Sequence, residues 1–163
     1  MINVRLTLEG ERDVRNASID HLEQALAALA EPLGPTFIML TDDTGGSMRA
    51  LGSGGRYTAE YLEVFDHHLR VWRAAALDTS DDTPATVGFF TSCPQGIHSP
   101  RSCPCVVRAS EILRLDDVEM ILTTYHAHRS MHLGYAWRVT RGSARAPRAG
   151  RARTGNKAHH ATH

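Results

Sequence analysis

The chain has 163 residues, 42% hydrophobic and 22% charged, which suits one domain with a modest core and excludes a chain disordered throughout. Its formal charge of zero hides a split: from Arg141 onward there are 6 basic residues and no acid, leaving 12 basic and 18 acidic residues in 1–140, a net of −6. No run of about eighteen apolar residues is present to cross a membrane, and the opening MINVRLTLEGERDVR has no apolar signal segment, so a cytoplasmic location is expected.

In chain order, INVRLTLEG alternates Val4, Leu6 and Leu8 against polar neighbours, a period-two strand. A helix follows, with Ser18 as N-cap and Ile19, Leu22, Ala25, Leu26 and Leu29 at helical spacing; Pro32 and Gly34 stop it. TFIMLTDD predicts a buried strand. Three strands come next, over 46–51, 56–65 and 68–74, with turns at 52–55 and at Asp66–His67. TVGFFT predicts another, 92–101 a loop, and CVVRASEIL a segment that starts extended. Asp116 is the expected N-cap of a second helix with Val118, Ile121, Leu122 and Tyr125 as its apolar stripe, and 131–139 the last strand. The remainder, rich in Ala, Arg, Gly and His, is expected to be a disordered basic tail. The fold class is α+β: one domain over 1–140, a mainly antiparallel sheet of about six strands with two helices packed on one face, and a tail over 141–163.

The glycines in MRALGSGGRYTAEYLE raise a phosphate loop as a possibility. Such a loop opens a helix, whose free N–H groups hold the anion. RYTAEYLEVF after Gly55 is strand material and no Gly-Lys-Ser or Gly-Lys-Thr is present, so a hairpin turn is expected. Cys93, His98, Cys103 and Cys105 are four soft ligands within thirteen residues, but their spacing is poor for zinc, and no metal or cofactor is expected. Three cysteines without a secretion signal argue against a disulfide framework. The zinc deaminase signature is missing, since HAHR has no H-x-E and residue 108 is Arg where that signature has Cys. His126, His128 and His132 read as solvated residues at a helix end rather than ligands. No G-x-S-x-G nucleophile turn occurs. The basic tail could neutralise nucleic-acid phosphates but carries no aromatics to stack on bases.

The opening helix, FIMLTDD, the glycine-flanked hairpin GSMRALGSGGRYTAEYLE, HLRVWRAA and DDVEMILTTYHAHRSMHLGYAW together resemble the Imm-one immunity protein family of bacterial polymorphic toxin systems, over about 19–138. The chain departs from that pattern in the cysteine loop, just before the second helix, and after Trp137. The resemblance implies a non-enzymatic protein that binds and neutralises a cognate toxin encoded nearby, a nucleic-acid deaminase or nuclease; from the residues themselves no membrane partner is expected, and nucleic acid only through the basic tail. An acidic body complements the basic cleft of such a toxin. Candidate toxin-binding residues are Asp42, Asp43, Tyr57, Glu60, Tyr61, Glu63, Asp66 and Trp72. Core packing is the competing expectation for Tyr61 and Trp72, and turn chemistry for the aspartates. The alternative function is a small zinc-binding module or enzyme using the Cys93–Cys105 loop.

Overall fold

The computed structural model describes residues 3–65, 68–77, 81–91 and 101–140. The proposed turn at Asp66–His67, the loop holding Cys93 and His98, and the tail from 141 lie outside them.

Nine strands and two α-helices are present among the described residues: β1 Val4–Leu8, β2 Val14–Arg15, α1 Ile19–Ala30, β3 Phe37–Asp42, β4 Ser47–Ser53, β5 Arg56–Phe65, β6 His68–Ala76, β7 Pro84–Thr91, β8 Arg101–Arg108, α2 Leu115–His128 and β9 Tyr135–Val139. Seven strands form one antiparallel sheet in the order β2-β1-β3-β4-β5-β6-β9, and β7 and β8 form a separate antiparallel ribbon. The α+β reading and the two helices on one face hold. The strand count exceeds the expected total of about six: a strand forms in all seven segments read as strands, and two more join them, β2, which is too short to show a period, and β8, where CVVRASEIL continues a strand that begins at Arg101.

Alternation of side chains along each strand sorts the sheet into two faces. On one, Leu6, Ile38, Leu40, Met48, Ala50, Tyr57, Ala59 and Ala74 are buried against Leu22, Leu26 and Leu29 of α1 and Val118, Ile121, Leu122 and Tyr125 of α2. The stripe expected for α2 is these four residues; that of α1 is met by Leu22, Ala25, Leu26 and Leu29, whereas Ile19, the first residue of the helix, is exposed. The ribbon and a short 3-10 turn, Ala109–Glu111, cover the other face over β3–β6.

Local chemistry sets the boundaries. Ser18 caps α1 as expected: its hydroxyl accepts from His21 N at 3.4 Å, and its own N–H donates to His21 Nδ1 at 3.1 Å. Asp116 is not the N-cap of α2. Arg114 holds that position, because the Asp117 carboxylate reaches back to Arg114 N at 2.8 Å and leaves Asp116 inside the first turn. The last strand is shorter than the expected 131–139: Gly134 N donates to His132 Nδ1 at 2.9 Å and Trp137 Nε1 to His132 O at 3.0 Å, which bends 131–134 into a loop before Tyr135. α2 ends at His128 with Arg129 left-handed at φ 56°, so His128 and His132 share no helix face.

The glycine cluster is a hairpin turn. Gly54 and Gly55 are its two central residues, at φ 60° and 78°, the pattern of a type I′ turn. Gly52 and Ser53 belong to β4 instead. Gly52 sits at φ 137°, where a Cβ would lie 2.2 Å from Arg56 O. Among the described residues no helix is long and apolar enough to cross a membrane.

Candidate functional site

Two constellations emerge, one on each face of the sheet. The first lies at the β3–β4 turn on the helix face. Asp42 closes the turn: its Oδ1 accepts from Thr44 N (2.8 Å), Thr44 Oγ1 (2.6 Å) and Gly46 N (3.1 Å), while Oδ2 accepts from Tyr125 Oη at 2.9 Å. Burial raises the Asp42 carboxyl, but these hydrogen bonds from Thr44, Tyr125 and Gly46 outweigh it and hold the pKa below the ordinary aspartate value. Burial chiefly, with the bond to Asp42, pushes the Tyr125 hydroxyl far up, so it stays a donor. Tyr61 stacks obliquely on Tyr125 with ring centroids 6.1 Å apart. Its pKa is raised by burial, then by Glu63, then by Asp42. A Cβ at Gly46 would come within 3.4 Å of Asp42 Oδ2, Tyr125 Oη and Tyr61 Oη alike, so glycine there lets three oxygens crowd the turn.

Around this buried knot stand two further acids and two half-buried aromatic residues, with exposed Arg5 and Arg15 beside Asp43. Asp43 is exposed in the turn, where its carboxylate accepts from Asn3 N at 3.1 Å. Glu63 is half-buried on β5, with Arg70 opposite at 3.8 Å. Trp72 is half-buried opposite Tyr61, and on its other side stands Val139. Asp42, Asp43, Tyr61, Glu63 and Trp72 therefore gather at one end of the sheet.

Two candidate residues fall elsewhere. Tyr57 is 1% exposed near the far end of β5, its hydroxyl donating to Leu29 O at 3.2 Å, so it fastens α1 to the sheet and offers no contact surface. Glu60 points to the opposite face and is 2% exposed. Neither is available to a docking partner as expected from the sequence, because the helix layer covers Tyr57 and the ribbon with its 3-10 turn covers Glu60. Asp66 lies outside the described residues.

Glu60 instead belongs to the second constellation, a buried ladder of alternating charge. Arg49, Glu60, Arg73 and Arg138 stand in register across β4, β5, β6 and β9. Arg49 holds Glu60 Oε2 through Nε (2.8 Å) and Nη2 (2.6 Å), and Arg73 holds Oε1 through Nε (3.0 Å) and Nη2 (2.6 Å). Glu111, fully buried in the 3-10 turn, enters between Arg73 and Arg138, with Arg73 Nη1 at 3.3 Å and Arg138 Nε at 2.7 Å. It also accepts from Arg108 N at 2.9 Å, and Arg73 Nη1 donates to Val106 O at 3.1 Å. The ladder thus ties the ribbon to the sheet. Burial raises the Glu60 carboxyl, yet the charges of Arg49 and Arg73 and their hydrogen bonds prevail and keep it below the ordinary glutamate value.

Cys105 lies beside this ladder, its Sγ 3.4 Å from Arg73 Nη2. Burial is the main reason its thiol is pushed up, against the pull of Arg73. Among the described residues no three His, Cys, Asp or Glu side chains gather as a metal set. Cys93 and His98 lie outside those residues. His126 is spent on structure, with Nε2 2.8 Å from Ala17 O.

The sequence reading missed Arg49, Arg73, Glu111, Arg138 and the hydroxyl of Tyr125. Two signals could have found part of the ladder: single charges inside otherwise apolar strands, and the two-residue turn at Gly54–Gly55, which fixes their register. No family model, curated protein or solved structure matches the chain.

Proposed function

We propose that this protein is an immunity protein that binds and neutralises a cognate polymorphic toxin, a nucleic-acid deaminase or nuclease, by stoichiometric protein–protein inhibition rather than by catalysis. The observation that carries the reading is the gathering of exposed Asp43 with Glu63, Tyr61 and Trp72 over a rigid buried knot at one end of the sheet. Half-buried aromatics supply contact area at little cost in side-chain freedom, and acids beside them match the basic substrate cleft of a nucleic-acid-directed enzyme. The resemblance over 19–138 and the net −6 of 1–140 support the same reading.

Co-expression with the toxin encoded beside it tests this. Growth rescue together with co-purification of the two proteins is the expected result. A demonstrably toxic neighbour that is neither rescued nor bound overturns the reading for that pair.

A further inference from the structure

The two edges of the seven-stranded sheet are finished differently. At one edge, β2 is only two residues long and carries exposed Arg15, the usual way of blunting a strand edge. At the other, β9 reads Tyr-Ala-Trp-Arg-Val, without proline or lysine, and among the described residues no strand lies on its outer side. Its one charge is turned away: the Arg138 guanidinium is bound beneath the sheet by Glu111. What remains along this edge is apolar, with Trp137 half-buried and Val139 47% exposed.

The backbone phase of β9 is fixed by Thr140 N, which donates to Val71 O at 2.9 Å. In an antiparallel pair such bonds recur at every second residue. Ala136 and Arg138 therefore spend their amides on β6, and the N–H and C=O groups of Tyr135, Trp137 and Val139 face outward.

We infer that β9 pairs antiparallel with β9 of a second copy of this chain, about a twofold axis at Trp137, joining two sheets into one. Trp137 is the middle residue of β9, so the twofold places Trp137 opposite Trp137 of the partner subunit and Tyr135 opposite Val139 of the partner subunit. All three pairs fall on outward-facing amides, which gives roughly six new backbone hydrogen bonds. On the helix face the strand offers aromatic and β-branched residues to each other, the favourable cross-strand combination. On the opposite face each Arg138 meets Ala136, so no like charges are set against each other. A twofold needs this self-complementarity, and the five residues of β9 have it in one register.

The full chain should sediment as a dimer in a concentration-dependent equilibrium. Val139→Pro removes only an outward N–H, and Val139→Lys places a charge at the junction. Both should raise the dimer dissociation constant by more than about tenfold, with circular dichroism unchanged. Hydrogen exchange on the unmodified protein gives a second reading: the Trp137 and Val139 amides should be protected in concentrated solution and exposed on dilution, while Ala136 and Arg138 stay protected throughout. A chain monomeric at every concentration overturns the inference. So does a dimer indifferent to both substitutions, or a Trp137 amide protected only when toxin is added, which would assign the edge to a toxin strand.

Discussion

Arg73 and Arg138 stand directly opposite each other on β6 and β9, and the Glu111 carboxylate lies between them. Two like charges in register destabilise a strand pair unless a counter-charge joins them. The 3-10 turn after β8 delivers it. Glu111→Gln keeps the shape and removes the charge, leaving two guanidinium groups facing across the sheet. It should cost about 3–5 kcal/mol in urea unfolding at neutral pH. A cost within the noise of a surface substitution would show that the ladder does not hold the ribbon.

Acid should loosen the same protein. Glu60 and Asp42 both have folded-state pKa values below their ordinary ones. A carboxylate held low in the folded state contributes stability above its unfolded pKa and loses it as pH falls through the folded one. The urea midpoint should therefore be nearly flat from neutrality to about pH 5.5 and drop below about pH 4. Glu60→Gln should start lower and show a shallower drop. An acid limb unchanged in Glu60→Gln combined with Asp42→Asn would assign the acid sensitivity to other groups.

Thr58 lies fully buried on the ladder face, and its hydroxyl has no hydrogen-bond partner among the described residues. Valine has the same shape without the polar atom. Thr58→Val should stabilise the protein by about 1 kcal/mol, measured as a higher thermal midpoint. A loss of stability would reveal a partner for the hydroxyl.

The glycines of the β4–β5 hairpin should separate sharply. Gly52→Ala drives a Cβ into the Arg56 carbonyl at a φ that alanine avoids, and should cost at least about 3 kcal/mol. Gly54→Asn meets open space at φ 60°, which asparagine tolerates, and should change stability by less than about 1 kcal/mol. Equal effects at both positions would contradict the hairpin geometry.

Within the proposed complex, charge and packing should act on different rates. Asp43→Lys and Glu63→Lys should slow association with a basic toxin and reduce its salt dependence, whereas Trp72→Ala should mainly speed dissociation. Surface plasmon resonance at two ionic strengths distinguishes the two effects. Unaltered kinetics in all three variants would move the interface elsewhere.

Much of this architecture could be read from the residues. The alternation of Val4, Leu6 and Leu8, the Ser18 cap, the stripe of α2 and that of α1 apart from Ile19 follow from period and capping alone. Part of the ladder was equally accessible. Counting outward in equal steps from Gly54–Gly55 sets Arg49 opposite Glu60, and counting from the Phe65–His68 pair sets Glu60 opposite Arg73. Glu60 nonetheless reads as a surface residue from the sequence, because acids are usually solvated and nothing local announces the ribbon above it. Glu111 and Arg138 could not be found this way. Their meeting depends on where the ribbon and β9 dock, which no short-range pattern encodes. The gathering of Asp43, Glu63 and Trp72 was half-visible, since hairpin register joins Tyr61 to Trp72 but only tertiary packing brings Tyr125 to Asp42.

The sheet also records an order of assembly. β3, β4, β5 and β6 follow one another through short turns, so each pairing closes a small loop at low entropic cost. β9 joins β6 only after the chain has travelled out through the ribbon and α2, between Ala76 and Tyr135. Contacts of that separation form slowly. A chain synthesised as far as Ala76 already has the sequence of six of the seven strands, while Arg138, which completes the ladder, has yet to be made. The strand that finishes the sheet is the last to be made, and until it docks β6 is the open edge of a growing chain.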